Sequence, residues 1–133
     1  MWGLSESLTE RLVAAAEAAR DNAYAPYSDF AVGAAVIGAS GVVFAGCNVE
    51  NASYGLSVCA ERNAVAAALA AGDRTLQAMA VVTGTSPPAT PCGACRQVLA
   101  EFGDLAILLA NPEGERRFTS VSGLLPGAFK LSP

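Results

Sequence analysis

The chain of 133 residues contains no histidine. That absence removes every mechanism built on an imidazole: Ser-His-Asp triads, Cys-His proteases, His-rich zinc sites and imidazole proton shuttles. Carboxylate, thiolate, hydroxyl and amine chemistry remains. Charge is scarce too, at 15% of residues, with 8 Lys+Arg against 12 Asp+Glu and a formal net charge of −4. A chain without a basic stripe is poorly suited to a nucleic-acid backbone, so no nucleic-acid partner is expected and a small neutral ligand fits better. Unbroken apolar runs of membrane-spanning length are also missing. Phe30 to Val49 is interrupted by Gly38, Ser40 and Gly41, and Leu76 to Cys95 by Pro87, Pro88 and Pro91, so both read as buried strands and loops and no membrane partner is expected. Glu6 and Glu10 near the start, with no basic segment ahead of an apolar run, do not read as a signal peptide, and the expected location is cytoplasmic.

Apolar residues are plentiful, at 53%, which excludes disorder. Residues 1–133 are expected to form one globular domain, burying roughly 65–70% of the surface that the unfolded chain exposes, with no need of a disulfide.

Ser7 and Glu10 have capping-box spacing, and Leu8, Leu12, Ala15, Ala16, Ala19 and Ala23 recur at helical intervals, predicting an amphipathic helix that ends before Pro26. Ala31 to Ile37 and Val42 to Phe44 read as a hairpin of mostly buried strands joined by Ala39, Ser40 and Gly41. A polar loop from Asn48 to Ser57 precedes an Ala-rich helix from Cys59 to Ala71 that stops at Gly72. Leu76 to Thr83 reads as a strand. Thr90 and Pro91 serve as N-cap and first residue of a helix running to about Phe102. Leu105 to Ala110 and Arg116 to Thr119 read as strands, and Val121 to Leu125 as a short closing helix. This order predicts an α/β fold, a mixed sheet covered by helices, with parallel late strands where a helix separates them.

Cys92 and Cys95 form a Cys-x-x-Cys at the start of a helix, where both thiols share a face and feel the positive end of the helix dipole. By itself that pair is open between a zinc half-site, a redox couple and chance. The redox version expects a thioredoxin-like βαβ setting near the N-terminus, which this chain lacks. Cys59 also opens a helix and is followed by Glu61. Three sulfurs leave a fourth position for water, as catalytic zinc requires, whereas a closed structural site would recruit Cys47 as well. Cys47 reads as the end of a buried strand, where a free thiol behaves as a small hydrophobe. Asn48 and Glu50 stand two apart, so an extended segment turns an amide and a carboxylate to one polar ligand.

These residues carry a resemblance. Ala25-Pro-Tyr-Ser-Asp-Phe-Ala-Val-Gly-Ala-Ala35, Gly46-Cys-Asn-Val-Glu-Asn51, Cys59-Ala-Glu-Arg62, Pro91-Cys-Gly-Ala-Cys-Arg-Gln97 and Leu124-Leu-Pro-Gly-Ala-Phe129 together resemble the small, homotetrameric-type, zinc-dependent cytidine deaminases. The resemblance spans nearly the whole chain and implies a three-layer α/β/α fold with about five strands. It implies one Zn²⁺ per chain on Cys59, Cys92 and Cys95, and Glu61 as proton shuttle in converting cytidine and 2′-deoxycytidine to their uridine counterparts with release of ammonia, in pyrimidine salvage. It further implies that Asn48 and Glu50 bind a sugar hydroxyl, that Phe30 packs on the pyrimidine, and that Ala60 belongs to the substrate site. Arg62 would hydrogen-bond the thiolates and offset their charge, with Arg96 a weaker candidate for the same part. Tyr54 and Phe129 match residues that reach a neighbouring subunit's site, so a homotetramer with shared active sites is expected.

Asn63 stands where threonine is frequent in that family, and Ser57 and Val58 have no close match; none of these is a proposed ligand. Three other readings stay open at this level. A blasticidin-S-type deaminase shares the Cys-Ala-Glu and Pro-Cys-x-x-Cys segments, although Asn48 to Asn51 and Phe30 to Gly33 favour the nucleoside enzyme. A non-catalytic zinc domain would place all four cysteines on the metal and have no use for Glu61. A thiol-redox protein would form a Cys92–Cys95 disulfide and bind no zinc.

Overall fold

The structure is a computed structural model and describes residues 3–132. Its elements are α1 (Glu6–Arg20), β1 (Val32–Gly38), β2 (Val43–Cys47), a single 3₁₀ turn (Tyr54–Leu56), α2 (Ala60–Ala70), β3 (Leu76–Thr83), α3 (Gly93–Ala100), β4 (Ala106–Ala110), β5 (Arg116–Ser120) and α4 (Val121–Leu124). The strands form one five-stranded sheet in the order β2-β1-β3-β4-β5. Only β3 and β4, which α3 connects, are parallel; the other neighbours are antiparallel. A crossover helix is the usual way to join strands that run in the same direction: α3 joins the parallel neighbours β3 and β4, and α2 joins β2 to β3, which run the same way with β1 between them.

The central strands are apolar at nearly every position, Gln77 and Thr83 of β3 apart, because both of their faces are covered. Successive residues alternate between two cores. Ala34, Val36, Met79, Val81, Ile107 and Leu109 face α2 and α3, meeting Ala60, Ala64, Ala68 and Leu99. Ala35, Ile37, Ala78, Ala80, Val82 and Leu108 face α1, meeting Leu12, Val13 and Ala16. The result is the expected three layers, with α1 alone on one side. Small residues set the layer spacing. At Gly33 a Cβ would stand 1.9 Å from the Ala16 carbonyl oxygen, and at Gly46 one would stand 2.5 Å from the Ala64 nitrogen, so both helices lie directly on strand backbone.

Several boundaries differ from the sequence expectation. The N-cap of α1 is Ser5, which is extended (ψ 156°) and accepts from the Leu8 N–H at 3.1 Å; Ser7 lies in the first turn, so the predicted capping box does not form. The helix stops at Arg20 rather than just before Pro26, because Tyr24 is drawn into extended pairing: its N–H donates to the Asn48 carbonyl at 3.0 Å and its carbonyl accepts from Glu50 at 2.8 Å. The N-cap of α3 is Cys92, not Thr90, since the Cys92 sulfur accepts the Cys95 N–H at 3.5 Å, and Pro91 precedes the helix. That helix ends at Ala100, short of Phe102. As the edge strand, β2 is only half-buried, and it runs on to Cys47. The hairpin, the Ala-rich helix and the strand from Leu76 to Thr83 stand where their sequences place them.

Gly33→Ala is expected to cost about 1–3 kcal/mol, the range for overpacking a close-packed core, because the atoms met are backbone and cannot rotate away. A denaturant midpoint equal to that of the parent would contradict this account of the α1 packing.

Candidate active site

Two helix N-termini converge at the carboxyl end of β3. Cys59 is the N-cap of α2 and Cys92 the N-cap of α3, while Cys95 sits one turn into α3, fully buried. Their sulfurs all lie within 4.8 Å of one another, with Cys59 and Cys92 3.7 Å apart and Cys92 and Cys95 3.4 Å apart. Sulfurs on adjacent corners of a tetrahedron with Zn–S of about 2.3 Å are separated by about 3.8 Å, so the cluster has the dimensions of a zinc site. Cys47 is outside it, at the end of β2, with its carbonyl accepting from the Asn63 amide at 2.8 Å.

The electrostatics fit a bound cation. The Cys59 thiol is lowered to about 5, chiefly by the hydrogen bond it accepts from Cys95; burial opposes this, while Arg62 and Cys92 add to it. Cys95 is pushed up by making that bond and by burial and the Glu61 charge. Arg62 brings Nη2 to 3.7 Å from the Cys59 sulfur, and its Nε is buried with no hydrogen-bond partner. A guanidinium is costly to bury in this way unless negative charge compensates it, and deprotonated thiols do so. Arg96 does not share this part. Its Nε and Nη1 donate to the carbonyls of Pro91 and Leu124, each at 2.8 Å, and its Nη2 to the Thr90 hydroxyl at 3.1 Å, so it fastens the segment before α3 to α4.

A cavity of about 240 Å³ opens beside the sulfurs. Phe30, Asn48, Glu50, Ala60 and Glu61 line it together with Cys59 and Cys92, so the structure gathers most of the residues singled out from sequence. Glu61 is only 5% exposed, and burial raises its carboxyl above the ordinary range, with a smaller push from Cys59 and partial relief from its own N–H and from Arg62. Asn48 is committed to the cavity wall: its Oδ1 accepts the Val32 N–H and its Nδ2 donates to the Phe30 carbonyl, both at 2.8 Å. Glu50 accepts from the N–H groups of Tyr27 at 2.9 Å and Ser28 at 3.2 Å and from the Ser28 hydroxyl. The Ser28 hydroxyl is the main cause that holds its carboxyl below the usual range.

Two expected residues lie elsewhere. Tyr54 is 75% exposed and lines an adjoining groove with Tyr27, Ser57 and the shared Ser28 and Glu50, its ring 5.9 Å from that of Tyr27. Phe129 is 70% exposed, and its backbone carbonyl accepts from the Gln97 side chain at 2.9 Å, away from the cavity. Conversely, Ser28, Val32, Val81, Thr83, Ala89 and Thr90 line the cavity without having been singled out as ligand contacts. Ser28 lies inside a segment that carries the resemblance, and the sequence offers Thr90 only as a cap; neither has a partner visible in sequence.

Residues 6–110 match the family described as the cytidine and deoxycytidylate deaminase zinc-binding region. The chain belongs to this family. Among its relatives, the cytidine deaminase of Sporosarcina psychrophila is 48% identical over 122 residues, covering 90% of both chains. That of Halalkalibacterium halodurans is 50% identical over 122 residues, covering 90% of this chain and 92% of the relative. The crystal structure of cytidine deaminase from Burkholderia pseudomallei superposes with a TM-score of 0.88 at 54% identity, covering 95% of this chain and all of that one. The family and the three-sulfur cluster together assign one Zn²⁺ per chain to Cys59, Cys92 and Cys95.

Elemental analysis of purified protein is expected to find about one zinc per chain, held by Cys47→Ser and lost from Cys92→Ser to below about half occupancy. Equal zinc in both variants would contradict the ligand set.

Proposed function

We propose that the chain hydrolyses cytidine and 2′-deoxycytidine to uridine and 2′-deoxyuridine with release of ammonia. The observation that carries this reading is that a buried carboxylate and a three-thiolate metal site open onto the same small cavity. Zinc bound by Cys59, Cys92 and Cys95 supplies the Lewis acidity that activates water at neutral pH. Glu61, buried beside that position with a raised pKa, takes one proton of the attacking water and delivers it to N3 of the pyrimidine, then takes the remaining proton from the hydroxyl added at C4 and passes it to the 4-amino group, which leaves as ammonia as the C4 carbonyl forms. Raised basicity suits both halves of that task, since the group must gain a proton and then give it back near neutral pH.

Phe30, 40% exposed at the cavity wall, offers an aromatic surface to the base, and Ala60, fully buried at the start of α2, closes the wall behind it. Asn48 spends one of its two N–H donors on the Phe30 carbonyl, leaving the other for a sugar hydroxyl; Glu50 retains acceptor capacity for the same group. Neither Lys nor Arg lines the cavity, whereas Glu50 and Glu61 do. A 5′-phosphate would therefore meet acidic groups without a compensating cation, which favours nucleosides over nucleotides and over nucleic acid.

The exposure of Tyr24, Tyr54, Leu56 and Phe129 supports a homotetramer in which neighbouring copies cover these residues and complete the sites. Among the described residues no helix is long and apolar enough to cross a membrane. A role in pyrimidine salvage in the cytoplasm is the setting that fits a free-nucleoside substrate.

Loss of absorbance as cytidine becomes uridine tests the reading. Glu61→Gln at matched zinc content is expected to lower kcat by about 10²–10⁴, the usual share of general acid–base catalysis, and a variant within tenfold of the parent would contradict the assigned role. Cytidine 5′-monophosphate is expected to be turned over with kcat/KM at least about 10² below that of cytidine, a cost of about 2.7 kcal/mol. Comparable rates on the two would contradict the selectivity.

A further inference from the structure

We propose that Arg20, at the C-terminal end of α1 and outside the cavity, is a positioning residue for substrate. Its Nε donates to the Ala31 carbonyl at 3.0 Å, eleven positions away. Ala31 lies between Phe30 and Val32, two residues of the cavity wall. From the other direction Asn48 holds the Phe30 carbonyl and the Val32 N–H, each at 2.8 Å, and the Ser28 hydroxyl accepts the Phe30 N–H at 3.1 Å. The backbone polar groups of Phe30, Ala31 and Val32 are thus clamped between an amide from the cavity side and a guanidinium from the α1 side. The clamp follows directly on Asp29, which stands in the left-handed region (φ 57°), a conformation uncommon for non-glycine residues though one that aspartate adopts more readily than most.

The same guanidinium reaches the adjoining end of β3, where Thr83 pairs with Val32. A Cβ on Gly84 would stand 2.7 Å from Arg20 Nη2, so the glycine gives the side chain its place just after Thr83, another wall residue. The close seating of α1 on Gly33, where a Cβ would stand 2.8 Å from Arg20 Cβ, sets the distance from which the arginine works. A basic residue in the last helical turn often does no more than complement the helix dipole. Here Nε instead bonds a carbonyl of another segment, and the planar fork lies at the same time against Gly84 at the end of the strand paired with that segment.

This inference rests on the proposed nucleoside site, and two kinds of measurement separate its failure from the failure of that reading. In kinetics with zinc-loaded protein, Arg20→Met keeps the stem and loses the donors; it is expected to raise KM for cytidine about fivefold to tenfold, the worth of one or two lost hydrogen bonds, with kcat changed less than about twofold. Arg20→Lys, which keeps a charge and a donor, is expected to fall between parent and Arg20→Met. Gly84→Ala leaves Arg20 in place but pushes its fork aside, and is expected to raise KM in the same direction. Hydrogen exchange over residues 28–34, which needs no substrate, is expected to speed up in Arg20→Met and Gly84→Ala while melting temperature and zinc content stay at parental values. An unchanged KM in Arg20→Met with an active parent overturns the inference, as does unchanged exchange over residues 28–34 in both variants. Failure of the parent to turn over cytidine overturns the functional reading instead and leaves the exchange experiment to decide on the clamp.

Discussion

Three cysteine sulfurs forced to one point constitute the constraint on which the rest of the molecule depends. Thiolates repel one another, and metal-free they share protons unevenly, with Cys59 held near 5 and Cys95 pushed far up. The fold overcomes this by placing two of the sulfurs at the N-caps of α2 and α3, where helix dipoles favour negative charge, and by laying Arg62 against Cys59. Once Zn²⁺ is bound, three thiolates leave the centre with a formal charge of −1, which by itself weakens its pull on a water molecule. Arg62 and the two helix ends restore part of that pull, so the cation beside the ligands belongs to the chemistry as much as to the packing.

The fold is arranged to hold this convergence. The crossover through α3 makes β3 and β4 parallel, and the carboxyl end of β3 becomes the floor of the cavity, with Val81 and Thr83 lining it. Ligands in α/β sheets commonly bind at that end of the strands, where helix N-termini also point. Gly46 lets α2 settle onto β2, which brings Asn48 and Glu50, just beyond β2, over the cysteines of α2 and α3. The wall is then tied by side chains that do double service: Asn48 fixes Phe30 and Val32, and Glu50 fixes Tyr27 and Ser28, while both still line the cavity.

Much of this was legible in the sequence, for physical reasons that differ by element. The strands of the centre are legible because a strand buried on both faces is almost wholly apolar, and Cys59 because the start of its Ala-rich helix announces itself through composition and spacing. The helix α1 is shorter than its periodicity suggests because Tyr24 is claimed by pairing with the segment around Val49, a contact that no local pattern encodes. The start of α3 departs from the sequence pattern because Thr90 and Pro91 form a stronger local signal than the Cys92 sulfur that accepts the Cys95 N–H. Arg62 and the weaker candidate Arg96 each stand beside a ligand cysteine in sequence. Only the packing separates them, sending one to carbonyls and the other to a sulfur. Ser28 and Arg20 act through partners distant in the chain, which no single-sequence pattern reveals.

The central claim is an open zinc site on three thiolates, with the fourth position free for water. X-ray absorption at the zinc edge of the fully loaded protein tests it most directly. The account predicts three sulfur neighbours at about 2.3 Å and one oxygen at about 2.0 Å. Four sulfurs, with Cys47 as the added ligand, would contradict it and leave Glu61 without a water to act on.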